Sequence, residues 1–163
     1  MEQNSYFNSP KKGRLRLNGV ITELKAFIKE DPEAYYTLVV GSDSRGYRNA
    51  VDYVSVIVIH RVGTGGRYFW QRTNGTKLYT LRDKIYKETL LSLELAQELV
   101  PKLKTALNPD VTKYNLEIHV DVGEHGDTRE MLKEIVGMVR GNGFDCKTKP
   151  QSYGASVVAD KHT

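Results

Sequence analysis

A chain of 163 residues can bury the core of one domain, and its single cysteine, Cys146, cannot form an internal disulfide. No apolar run is long enough to span a bilayer or to form the core of a secretory signal, which excludes a membrane-spanning class and favours a cytoplasmic protein without a membrane partner. The formal net charge of +4 at pH 7 is modest, so composition alone does not choose a partner.

The N-terminal region contains a polar segment followed by a helix. Residues 1–17 are polar, include the basic stretch "KKGRLR" and show no clear period, so we expect a flexible or edge segment before a single domain over residues 18–163. Asn18 is placed to cap an amphipathic helix through "GVITELKAFIKED", and Pro32 would end it.

Three strands are predicted next, joined by short connections. Residues 35–40 form a nearly continuous apolar run, which is typical of a strand covered on both faces. The stretches "VSVIVIHRV" and "RYFWQR" are the second and third strands, with "GTGG" as the turn between them. These connections predict an antiparallel meander.

The second half of the chain alternates helix and strand. Thr80 followed by Asp83 resembles a capping box, and it opens a helix that runs to about Pro101. "NLEIHVDVG" is a fourth strand, Asp127 begins a further helix, "FDCKT" is a fifth strand, and Ser156 caps a last helix. A leading helix followed by βββαβαβα predicts an α/β fold with a five-stranded mixed sheet, its first three strands antiparallel and its later ones parallel.

Two of the predicted strands are followed by an aspartate. Asp43 follows the first strand in "VVGSDSR", and Asp121 follows the fourth just before Gly123. If these strands are parallel neighbours, both aspartates lie side by side at one end of the sheet, where ligands of α/β proteins collect. The alternative for each is an ordinary turn residue.

Glu88 occupies a core-facing position on the helix that Thr80 opens. It completes the spacing of an apolar stripe formed by Leu81, Ile85, Leu91, Leu95 and Leu99. Burying an ionised carboxylate costs several kcal/mol without compensation, so Glu88 needs a cation or a basic partner, unless the stripe is placed one residue wrong. Converging carboxylates would suit Mg²⁺ or Mn²⁺, which prefer oxygen ligands.

Positive charge is concentrated in residues 43–87, which hold nine Lys or Arg against three Asp, with aromatic residues interleaved. This pattern is typical of a protein that binds a phosphate backbone, although a solvated sheet face gives the same pattern. The candidate nucleic-acid contacts are Arg45, Arg48, Arg67, Arg72 and Lys84.

The order of the elements, together with "GSDS", "YKETLLSLELA", "EIHVDVGEHGDT" and "SYGASVVADKHT", resembles the ribonuclease H-like superfamily. The strings are most similar to a bacterial family of predicted RNase H-like nucleases, the YkuK family, over about residues 18–163. The resemblance implies that Asp43, Glu88, Asp121 and Asp160 are the catalytic acids and bind Mg²⁺ or Mn²⁺. Asp160 stands three residues before the last residue, so the last helix would be short.

The resulting prediction is a divalent-metal-dependent nuclease that hydrolyses phosphodiester bonds in RNA, an RNA/DNA hybrid or structured nucleic acid by a two-metal mechanism. Ser44, His125 and His162 are candidate auxiliary residues. One alternative is a non-catalytic nucleic-acid binding module on the same fold. A second is a zinc-dependent hydrolase of a non-nucleic substrate, using His119, Asp121 and His125. The sequence does not separate the nuclease from the binding module.

Overall fold

The computed structural model describes residues 5–47, 50–75, 80–107 and 114–152. Its strands are β1 (Phe7–Ser9), β2 (Gly13–Leu15), β3 (Tyr36–Tyr47), β4 (Ala50–Arg61), β5 (Gly65–Gly75), β6 (Tyr114–His119) and β7 (Asp145–Lys147). Its helices are α1 (Leu17–Glu30), α2 (Leu81–Ala106) and α3 (Leu132–Gly141), and a short 3₁₀ turn, Arg129–Met131, precedes α3.

Seven strands in the described residues form one mixed sheet in the order β2-β1-β5-β4-β3-β6-β7. The predicted meander is confirmed, because β3, β4 and β5 pair antiparallel. The predicted parallel part is confirmed as well, with β6 parallel to β3 and β7 parallel to β6.

The predicted count of five strands was wrong because β1 and β2 were missed. These two strands form a hairpin at the edge of the sheet, and β1 pairs with β5. Each has only three residues, which is too short for an alternation of apolar and polar side chains to be recognised.

The main core lies between the three helices and one face of the sheet. Helix α2 packs along β3 and contacts both α1 and α3. The buried sheet residues of this core are Phe7, Tyr36, Leu38, Val40, Ile57, Ile59, Phe69 and Ile118. Val54 and Val56, which alternate with Ile57 along β4, form a second, smaller cluster on the opposite face.

Helix α2 begins as predicted but buries a different stripe. The Thr80 hydroxyl accepts a hydrogen bond from the Asp83 N–H at 3.0 Å. After Glu88 the buried face continues through Ser92 rather than Leu91, and Leu81 is 40% exposed. The helix has 26 residues, yet no helix of the described part is long and apolar enough to cross a membrane.

The predicted starts of the other two helices were wrong. Helix α1 begins at Leu17 after Arg16, which makes no side-chain capping bond, so Asn18 already lies inside the helix. Helix α3 begins at Leu132 and not directly after Asp127. The Thr128 hydroxyl accepts the Gly123 N–H at 3.2 Å, which holds the intervening segment as a loop.

Candidate acidic active site

Asp43 lies inside a strand rather than in a turn. Strand β3 stays paired with β4 as far as Tyr47, and Asp43 stands opposite Val54 in this ladder. The parallel ladder between β3 and β6 ends earlier, at the pair Gly41 and His119. The two strands therefore separate just before Asp43, and its half-buried carboxylate accepts the N–H of Ser44 at 2.9 Å.

Asp121 lies beside Asp43 at the same end of the sheet. It follows the last paired residue of β6, His119, by two positions, just as Asp43 follows Gly41 by two positions. The prediction that the two strands are parallel neighbours is confirmed. Because parallel strands share one direction, both carboxylates project where the ladder opens.

Glu88 is the buried acid of this site. Its residue is 4% exposed, and the Ser44 hydroxyl donates a hydrogen bond to its Oε1 at 2.5 Å. Burial raises the pKa of Glu88 to about 8; the Ser44 hydrogen bond opposes this rise, the negative charges of Asp43 and Asp121 add to it, and the Lys84 ammonium opposes it. The predicted core-facing acid is therefore present, and within the described residues it has a hydroxyl partner but no ion pair.

Lys149 is a site residue that the sequence reasoning missed. Its ammonium lies 2.8 Å from Asp121 Oδ1, with the two side chains 53% and 33% exposed. Lys147 pairs with His119 at the end of β7, so Lys149 follows its strand by the same two positions as the aspartates follow theirs. The signal in the sequence is a lysine directly after the predicted fifth strand, "FDCKT".

The carboxylates fit a hard divalent cation by their chemistry. Carboxylate oxygens are the ligands that Mg²⁺ and Mn²⁺ prefer, and a bound cation would offset the repulsion that contributes to the raised pKa of Glu88. In the described ranges, no three Asp, Glu, His or Cys side chains are yet close enough together to hold an ion. The Lys149 ammonium already forms an ion pair with Asp121, so a positive charge is present at this carboxylate.

The candidate histidines that the structure describes, His119 and His125, do not join the acids. Buried His119 contacts Glu117 at 3.1 Å, and burial lowers the pKa of His119 against the opposing effect of that carboxylate. His125 is exposed in the loop after Asp121, so the three predicted zinc ligands are not assembled in this part of the chain. Asp160, His162 and Arg48 lie outside the described residues.

The predicted basic set is divided between two ends of the sheet. Arg72 pairs with Val54, which pairs with Asp43, so Arg45 and Arg72 share the sheet face of Asp43. Lys84 lies one turn before Glu88 on α2. Arg67 lies at the other end, where its guanidinium stacks 4.7 Å from the centre of the Phe27 ring. We therefore exclude Arg67 from the surroundings of the acids.

Comparisons with known proteins agree with the resemblance found in the sequence. A family model described as Ribonuclease H-like matches residues 19–163. The chain is 28% identical over 174 aligned residues to a protein of Bacillus subtilis (strain 168) named "Uncharacterized protein YkuK", covering 100% of this chain and 99% of that protein. RNase H1 from the halophilic archaeon Halobacterium salinarum NRC-1 is a weak structural match, with a TM-score of 0.37 and 15% identity over 72% of this chain and 86% of the archaeal one.

Proposed function

Because the chain belongs to the ribonuclease H-like family, we propose that it is a divalent-metal-dependent nuclease whose active site contains Asp43, Glu88 and Asp121. One observation carries the proposal. A buried glutamate is held by Ser44 next to two aspartates, at the point where two parallel strands separate. The resemblance to the family adds Asp160 as a proposed fourth acid. We propose RNA, an RNA/DNA hybrid or structured nucleic acid as the substrate.

The protein side chains have separate tasks in this proposal. Asp43, Asp121 and Glu88 would hold Mg²⁺ or Mn²⁺, in two sites if the mechanism follows the two-metal pattern. The ions would supply Lewis acidity at the phosphate and lower the pKa of a bound water. Ser44 keeps the Glu88 carboxyl in place, and Glu88 loses its proton as positive charge arrives, because metal ligands bind in their deprotonated form.

A second candidate function is supported by the ion pair between Lys149 and Asp121. The Lys149 ammonium, 2.8 Å from Asp121, already neutralises one of the acids. Such an ion pair is compatible with a protein of this fold that binds nucleic acid without cutting it. In that case the surrounding cations would contact phosphates, and the acids would have no part in chemistry.

Cleavage assays distinguish the two functions. Labelled RNA, hybrid and branched DNA would be incubated with Mg²⁺, Mn²⁺ or EDTA, comparing the wild type with Asp43→Asn and with Asp145→Asn, an exposed aspartate on β7. We expect metal-dependent cleavage that falls at least about a hundredfold in Asp43→Asn and is unchanged in Asp145→Asn. The size follows because mutating even the residues that only orient metal ligands lowers metal affinity or activity about 10–100-fold. Binding without cleavage would support the binding module, and equal cleavage by Asp43→Asn would contradict the proposed site.

Replacing Arg45 by alanine should weaken the salt dependence of nucleic-acid binding. Each lost phosphate contact lowers the slope of log K against log salt by about 0.7–0.9. Lys104 is the control, because it lies sixteen residues after Glu88 on α2, about 24 Å along the helix axis. Fluorescence anisotropy at several salt concentrations would measure both slopes. An unchanged slope in Arg45→Ala would remove Arg45 from the interface.

A further inference from the structure

A polar cavity of about 850 Å³ lies between α2 and the β1–β2 hairpin. Its floor is the helix-bearing face of the sheet, where Tyr53 and Ser55 of β4 stand opposite Thr73 and Gln71 of β5. Its volume falls within the range of about 300–1,000 Å³ that is usual for small-molecule sites. The three acids proposed for metal binding, Asp43, Glu88 and Asp121, are not among the residues that line it.

Two buried polar groups of the floor lack a partner in the described residues. Tyr53 is 2% exposed and Gln71 is 4% exposed, yet the Tyr53 Oη and the Gln71 Nε2 make no hydrogen bond there. Such a group costs about 1–3 kcal/mol when buried and unpaired, and buried polar groups of folded proteins are usually paired. These two atoms therefore suit a ligand with its own donors and acceptors.

Three buried serines beside the floor, Ser42, Ser55 and Ser92, are hydrogen-bonded to one another, in contrast to Tyr53 Oη and Gln71 Nε2. Ser92 donates to Ser42 at 2.9 Å, and Ser42 and Ser55 share a hydrogen bond of 2.9 Å. This chain of hydrogen bonds runs from Ser92 of α2 through Ser42 of β3 to Ser55 of β4, which lines the cavity. A Cβ atom at Gly75 would overlap the Tyr53 ring, so glycine at this position leaves room for the ring in the floor.

The cavity carries an excess of positive charge. The side chains of Arg14 and Lys87 line it against one acid, Glu94; Arg72 also lines it, but alternation along β5 puts its side chain on the opposite face of the sheet. The Arg14 guanidinium is held 4.4 Å from the centre of the Tyr6 ring, which also lines the cavity. A planar cation fixed on an aromatic ring suits an anionic group such as a phosphate.

The cavity adjoins the acidic site through Tyr53. Tyr53 stands directly opposite Ser44 in the β3–β4 ladder, and Ser44 holds Glu88. Burial raises the pKa of Tyr53, and the charge of Glu88 adds to this effect, in agreement with their proximity. A ligand in the cavity would therefore lie next to the carboxyl that we propose for catalysis.

We propose that the cavity binds one unpaired nucleotide, with its base against Tyr53 and Gln71 and its phosphate toward Arg14 and Lys87. Base edges offer donors and acceptors together, which are the groups that a hydroxyl and a side-chain amide recognise. A base inside an uninterrupted duplex cannot enter such a cavity, so single-stranded or bulged substrates should be preferred. The identification of this nucleotide as part of the nuclease substrate rests on the proposed function.

The variants Tyr53→Phe and Gln71→Leu test the proposal by nucleotide binding alone, independently of any cleavage activity. Calorimetric titrations with the four 5′-ribonucleoside monophosphates and with inorganic phosphate would be carried out in EDTA, alongside thermal melts. We expect each variant to bind nucleotides about tenfold more weakly. Tyr53→Phe should also keep or raise its Tm, because an unpaired buried hydroxyl has been removed. Tyr36→Phe is the matched control, since the Tyr36 hydroxyl donates to Asp31 O at 2.7 Å and accepts from Arg61 Nε at 3.2 Å. It should lower Tm and leave nucleotide binding unchanged.

Four results would overturn the proposal. The first two are no nucleotide binding at millimolar concentration and equal nucleotide binding by the wild type and both variants. The third is a decrease of Tm in Tyr53→Phe as large as in Tyr36→Phe, and the fourth is inorganic phosphate binding as tightly as nucleotides. The third would mean that the Tyr53 hydroxyl has a structural partner such as water. Nucleotide binding that depends on Tyr53 and Gln71 in a protein that cleaves no nucleic acid would support the cavity and contradict the nuclease.

Discussion

Replacing Glu88 with glutamine should stabilise the metal-free protein at pH 9 by roughly 3–5 kcal/mol and remove most of its loss of stability between pH 5 and pH 8. Burial raises the pKa of Glu88 in the folded protein from its ordinary value of 4.5 to about 8, so the folded protein keeps a proton that the unfolded chain loses. The protonated Glu88 side chain therefore contributes to the free energy of unfolding. This contribution is fully present below the pKa of the unfolded state and is lost as the pH rises through the pKa of the folded state. Each unit of pKa shift corresponds to about 1.4 kcal/mol.

Urea unfolding in EDTA at pH 5, 7 and 9 would measure this effect. Glutamine has the shape of a neutral glutamic acid and can still accept the Ser44 hydrogen bond, so the cavity around the side chain is preserved. Glu130→Gln, on the exposed 3₁₀ turn, is the control and should follow the wild type at every pH. Equal pH dependence in Glu88→Gln and wild type would mean that Glu88 is already ionised in the folded protein.

Replacing Lys149 with methionine should enlarge the stabilisation of the protein by Mg²⁺ or Mn²⁺. A cation that binds only the folded state at a hundred times its Kd stabilises it by about 2.7 kcal/mol, or about 5–11 °C in Tm for a chain of this size. The Lys149 ammonium competes for Asp121 in the metal-free protein. Its removal should cost less than about 1 kcal/mol without metal, because both partners are partly exposed.

Thermal melts with EDTA, Mg²⁺ and Mn²⁺ would check this prediction. Lys147→Met is the matched control: it removes a lysine of the same segment that lies within β7, and its metal shift should equal that of the wild type. Asp121→Asn should lose most of the metal shift. A wild type that millimolar metal does not stabilise, or a Lys149→Met variant with an unchanged shift, would contradict the proposed competition.

The positions of the three acids could be predicted because each depends on a local pattern. Asp43 and Asp121 each follow an apolar run, and these runs belong to strands that pair in parallel, while Glu88 interrupts a helical stripe. The details around them depend on pairing across the sheet. "GSDS" has the composition of a turn, but β3 continues through it because β4 supplies hydrogen-bond partners as far as Tyr47.

Other features could not be read from the sequence because they are assembled from distant segments. The stripe of α2 turns from Leu91 to Ser92 because the serine completes a buried hydrogen-bond chain with Ser42 of β3. Lys149 reaches Asp121 only through the parallel pairing of β6 and β7. The cavity above Tyr53 requires two central strands, α2 and an edge hairpin whose strands have three residues each.

Anomalous diffraction from crystals soaked in millimolar Mn²⁺ would test directly whether Asp43, Glu88 and Asp121 form one divalent-metal site. We expect a manganese peak at about 2.0–2.3 Å from carboxylate oxygens of Asp43 and Asp121, with the Lys149 ammonium displaced from Asp121. Asp121 still paired with Lys149, and no manganese peak between the two aspartates, would contradict it.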